Sequence, residues 1–102
     1  MTRHNYNSNG VTLNPSIPTF GDKVKVVYNG LLAESGATEL FAHVGFGNNW
    51  NSQYDYRMNR TQNGFEASIP VTHQEPLNIC FRDCANNWDN NSGSNYSYTV
   101  TE

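Results

Sequence analysis

Short apolar runs that alternate every second residue, each closed by Asn, Gly or Pro, set the limits on this fold. Lys23 to Tyr28 places Val24, Val26 and Tyr28 on one face and Lys23, Lys25 and Val27 on the other. Glu39 to Phe46 groups Leu40, Ala42, Val44 and Phe46 against Phe41 and His43. Phe65 to Ile69, Leu77 to Arg82 and Tyr96 to Val100 repeat the pattern, and Val11 to Leu13 is a shorter first run. Tyr54 to Asn59 puts Tyr54, Tyr56 and Met58 on one face, which is expected to be core. A period of two belongs to strands, and no segment sustains a helical period. Asn29-Gly30 and Asn63-Gly64 read as turns, and Pro70 ends a strand or marks an edge. The pattern predicts an all-β fold, an immunoglobulin-like antiparallel β-sandwich of about seven strands, with a small barrel as the alternative. Residues 1–10 read as a flexible leader and residues 11–102 as a single β-sandwich domain.

A chain of 102 residues can build one modest core. The net charge is -3, and the six basic residues are scattered, with only Arg57 and Arg60 close together. That excludes a nucleic-acid surface, which needs clustered Lys and Arg. No stretch approaches the length of a transmembrane helix, so no membrane partner is expected. The domain is expected to be a monomer. The opening residues Met1 to Tyr6 are polar and lack an apolar signal core. Two settings stay open: a cytoplasmic protein, or a module taken from a longer secreted one. Cys80 and Cys84 have neither zinc-knuckle nor redox spacing, and free thiols are favoured over a bridge. His4, His43 and His73 lack metal-ligand spacing. Asp83 and Asp89, with the neighbouring amides, are a weak calcium candidate and lack EF-hand spacing. No metal and no cofactor are expected.

Trp50 and Trp88 carry the functional signal. Trp50 closes the run His43-Val44-Gly45-Phe46-Gly47-Asn48-Asn49-Trp50, and Trp88 follows Asn86-Asn87 and precedes Asp89-Asn90-Asn91. Most tryptophans pack in cores, and the bland reading is that each plugs one end of the sandwich. Two indoles in matching Asn-rich segments point instead to flat aromatic surfaces held for a ligand. The neighbouring amides donate and accept hydrogen bonds without charge, which suits a neutral, hydroxyl-rich molecule. A pyranose has an apolar C–H face that stacks on indole. His43, seven residues before Trp50, can stack on a sugar edge and bond a hydroxyl. The expected ligand-binding residues are His43, Trp50 and Trp88, with Asn49, Asn87 and Asn91 as loop amides. Catalysis has thin support: nine carboxylates are spread singly, whereas a glycosidase needs two flanking one bond. The rival reading is an immunoglobulin-like protein-interaction domain whose aromatics form a hot spot.

Four pieces of the chain together resemble the starch-binding carbohydrate-binding modules of families 25 and 53. They are Val24-x-Val26-x-Tyr28-Asn29-Gly30, His43-x-Gly45 with Trp50 five residues on, Phe81-x-Asp83 with Trp88-Asp89-Asn90-Asn91 following, and Asn95-Tyr96. Cys84 departs from the pattern, standing where a glycine or small polar residue is expected. The resemblance implies a β-sandwich that binds α-1,4-linked glucans such as starch or glycogen. It implies a sugar platform at His43, Trp50 and Trp88 and no catalytic activity. It also implies a possible covalent neighbour, since such modules usually sit beside an amylase-type or starch-synthase catalytic domain.

Overall fold

The computed structural model describes residues 10–90 and 95–102. The expected leader, apart from Gly10, and the candidate Asn91 lie outside the described residues. In chain order the elements are β1 (Val11–Asn14), β2 (Lys23–Tyr28), α1 (Leu31–Glu34), β3 (Leu40–Phe46), β4 (Asn51–Arg57), β5 (Asn59–Thr61), β6 (Gly64–Pro70), β7 (Leu77–Asp83), β8 (Trp88–Asp89) and β9 (Tyr96–Tyr98).

Two antiparallel sheets face each other. The first has the order β1-β2-β6-β5, and the second β4-β3-β7-β8, with β9 also on β7. These are the immunoglobulin orders, A-B-E-D opposite C-F-G with an added outer strand at β4. Among the described residues, two pairs of the nine segments are related. β4 and β5 are one run that changes sheets at Met58, which is buried. β8 and β9 pair successive stretches of β7, Phe81–Arg82 and Leu77–Ile79.

The alternation in the sequence becomes the core. Val24, Val26 and Tyr28 of β2 are fully buried, and Leu40, Ala42, Val44 and Phe46 of β3 face them with Leu77, Ile79 and Phe81 of β7. Each of the larger aliphatic and phenylalanine side chains contributes about 1.5–3 kcal/mol through burial. Tyr28 stacks on Phe81 with ring centroids 4.1 Å apart. The phenol of Tyr28 donates to Asp89 at 2.5 Å, and that of Tyr96 donates to the other Asp89 oxygen at 3.0 Å. This buried polar node ties both sheets to β8.

The structure corrects two expectations. Tyr54 is not core: it is 61% exposed, although its register partner Val44 is buried. The side chain points to the correct face, but β4 is an edge strand and the facing sheet ends at the three-residue β5, so the ring meets Tyr56 and is otherwise largely open. Asn29-Gly30 does not make a simple turn either; it leads into the single helical turn α1. Leu32 buries itself there, and its N–H donates to the Tyr28 hydroxyl at 3.0 Å. Four residues are too few to show a helical period in sequence.

Candidate functional site

β3 delivers His43 to the outer face of the second sheet, because its neighbours Ala42 and Val44 point into the core. Directly opposite residues of paired strands share a face. His43 therefore lies in one cross-strand row with Asp55 of β4 and Cys80 of β7. One step along, Phe41, Arg57, Arg82 and Trp88 share that face.

Both indoles converge on His43. The Trp50 ring is nearly parallel to the imidazole, with centroids 5.6 Å apart and planes at 22°. The Trp88 ring stands at 89° to it, 5.7 Å away. The two indoles are thus steeply inclined to each other, with the histidine between them. Neither belongs to the buried core cluster. Trp88 is 47% exposed. It sits on the short strand β8 rather than in the loop that its asparagine neighbours suggested.

Local backbone chemistry sets each indole. Trp50 has φ of +51°, an uncommon conformation for a large residue, and its N–H donates to Gly47 O at 3.1 Å. Its ring lies against Gly45: a Cβ added there would fall 2.5 Å from Trp50 Cε3. Gly45 is therefore the floor on which the indole rests. Ahead of Trp88, Asp83 organises the loop. One carboxylate oxygen accepts the N–H groups of Ala85 and Asn87, both at 2.9 Å, and the other accepts Asn87 Nδ2 at 3.0 Å. The Asn87 side chain and then its backbone N–H hold the Asp83 carboxyl below the usual carboxylate range; desolvation pushes the other way, and the Ala85 N–H adds a smaller lowering.

Behind the aromatics lies a polar brace. His43 Nδ1 and Asp55 Oδ1 are 2.5 Å apart, and Arg82 donates to Asp55 Oδ2 at 3.1 Å. The Arg82 guanidinium lies 4.4 Å over the Phe41 ring. Desolvation pushes the Asp55 carboxyl up, but the bonds from His43 and Arg82 outweigh it and hold it below its ordinary range. Cys80, on the other flank, is buried, and desolvation pushes its thiol up to about 11. Cys80 and Cys84 are both free.

Of the residues named from sequence, His43, Trp50 and Trp88 come together. Asn49 is exposed in the turn before β4, and the side-chain nitrogen of Asn87 is committed to Asp83. Sequence reading passed over Asp55 and Arg82. Their connection to His43 exists only through strand register, and no local motif signals it. It also gave Gly45 and Asp83 no part in the site, although both fall inside the quoted motifs. Among the described residues no group of His, Cys, Asp and Glu is arranged to hold a metal, and no helix is long and apolar enough to cross a membrane.

The chain is 32% identical to an alpha-amylase of Clostridium acetobutylicum, an alignment that covers 95% of this chain and 14% of the amylase. In fold it resembles part of the cycloalternan-degrading enzyme of Trueperella pyogenes, with a TM-score of 0.50, 17% identity, and coverage of 76% of this chain and 10% of that one. This chain therefore spans a small fraction of each of these proteins. Residues 24–79, more than half of the chain and including His43 and Trp50, match the starch/carbohydrate-binding modules of family 53. That is a family of binding modules, and it does not favour the protein-interaction reading. With a sandwich of the expected order around this match, the chain belongs to the family 53 starch/carbohydrate-binding modules.

Proposed function

We propose that the outer face of the second sheet binds α-1,4-linked glucans, with Trp50 and Trp88 stacking on glucose rings and His43 between them. The observation that carries this is the angle between the aromatic surfaces. The imidazole is within 22° of one indole plane and at 89° to the other. An α-1,4 chain curves, so successive rings present differently tilted faces; cellulose is flat and suits a coplanar platform. Rigid aromatic rings also lose little entropy on binding. Asn49, Asn87 and Asn91 are assigned to hydroxyls of the sugar. Asn87 does this while its side-chain nitrogen holds the loop.

The domain itself is non-catalytic in this reading. Its similarity to a segment of an alpha-amylase supports a role as the glucan-holding part of a larger amylase-type protein. A shallow site of this kind binds weakly, with a dissociation constant of about micromolar to millimolar.

Titration with maltotetraose, using cellotetraose as the control, tests the proposal. Quenching of tryptophan emission and shifts of both indole N–H signals by the maltose series alone are expected. No response to maltotetraose at millimolar concentration would exclude it.

A further inference from the structure

The contact between His43 and Asp55 dictates where the imidazole carries its proton. Asp55 is held in its ionised form by His43 and Arg82, and an ionised carboxylate only accepts hydrogen bonds. The atom that meets it is Nδ1, at 2.5 Å. Nδ1 must therefore be the donor. In a neutral imidazole the other nitrogen then carries a lone pair.

The surroundings keep this arrangement in place. The second Asp55 oxygen is engaged by Arg82, and Arg82 is laid over Phe41. Trp50 covers one face of the ring and Trp88 meets it edge-on. Cys80 flanks it from β7, with its buried thiol protonated. Rotation of the imidazole would break the Asp55 bond and the Trp50 stack together.

We propose that Asp55, braced by Arg82, is a positioning residue that fixes His43 as the Nδ1–H tautomer, so that Nε2 accepts a hydrogen bond from a glucose hydroxyl. This rests on the glucan reading of the site. It adds a polarity to that reading: the hydroxyl that meets His43 must donate. The loop amides can serve either way, but this point of the site cannot.

Long-range proton–nitrogen NMR of the whole chain at neutral pH reads the tautomer without any sugar. The expected result is that the neutral form of His43 carries its proton at Nδ1. A neutral ring protonated at Nε2 would overturn the proposal. The second arm uses Asp55→Asn, which keeps the side-chain shape and removes the charge. Loss of the Nδ1–H preference, with maltotetraose affinity down about tenfold, is expected. Asp55→Glu, which keeps the charged acceptor, should restore the tautomer and part of the affinity. An unchanged tautomer and affinity in Asp55→Asn would also overturn the proposal. Failure of the wild-type chain to bind maltotetraose removes the glucan reading and with it the ligand half of this one. The tautomer measurement decides the positioning half by itself.

Discussion

Gly45 and Trp50 are in direct contact across the bend before β4, close enough that a Cβ on Gly45 would sit 2.5 Å from the indole Cε3 and 3.0 Å from the Trp50 Cα. Part of that contact is backbone, so the indole cannot simply swing aside. Gly45→Ala should displace Trp50 from its stack on His43. We expect maltotetraose affinity to fall at least about tenfold, or roughly 1.4 kcal/mol. Circular dichroism should show the sandwich intact, and affinity unchanged from wild type would refute the floor role of Gly45.

Trp50→Ala and Trp88→Ala should each abolish detectable glucan binding while the fold survives. Tryptophans at binding hot spots are worth at least about 2 kcal/mol, and these two lie outside the core cluster. Trp88 is half exposed, so its loss should cost less than the about 3–5 kcal/mol of a fully buried tryptophan. Thermal melts beside the titrations separate the two effects. Unfolding of both variants would support a packing role for the indoles instead.

The Asp83 loop makes Trp88 sensitive to acid. The folded-state carboxyl titrates below its ordinary value because the Asn87 side chain and the loop N–H groups bond the ionised form. A depressed carboxylate stabilises the fold fully above its unfolded pKa and loses that contribution as pH falls through the folded one. The loop should therefore loosen only below the ordinary aspartate range. Asp83→Ala should mimic the acid form at neutral pH, weakening glucan binding through a side chain that does not touch sugar. Indole N–H line widths of Trp88 across an acid titration check this, and a sharp, unshifted signal in Asp83→Ala would refute it.

Asp89 holds the core end of the same segment. It accepts from the buried hydroxyls of Tyr28 and Tyr96, which sit on opposite sheets. Asp89→Ala removes the acceptor that both phenols use, and a buried polar group that loses its partner costs about 1–3 kcal/mol. A drop in stability of at least about 2 kcal/mol by urea unfolding is expected. Removing one donor, in Tyr96→Phe, should cost less.

The two cysteines should react at very different rates. Cys84 is exposed, whereas Cys80 is buried with its thiol pushed up to about 11, and the thiolate is the reactive form. One equivalent of thiol reagent should react with the native chain, at Cys84 by peptide mapping. The second should react only after denaturation.

The strand pairing of His43 marks where sequence stopped being enough. The alternation at Lys23–Tyr28, Leu40–Phe46 and Leu77–Arg82 settled which side chains face the core, because a strand sends successive residues to opposite faces. That alone placed His43 on the outer face, and the asparagine-rich settings of Trp50 and Trp88 marked them as surface aromatics. Register is different, since it depends on a partner strand. From Phe46 paired with Asn51, a regular ladder would set His43 beside Tyr54. A shift between Val44 and Phe46 moves the partner by one residue to Asp55. One residue of slip thus puts a carboxylate rather than a phenol beside His43 on the outer face. The bulge, the edge position that leaves Tyr54 largely open, and the turn that rests Trp50 on Gly45 arise from how separate strands meet. Sequence determined the sandwich and its core faces, and it singled out the three aromatic side chains that the fold brings together. Tertiary structure alone decided the brace behind His43 and the steep angle between the indoles, because both come from contacts between strands distant in the chain.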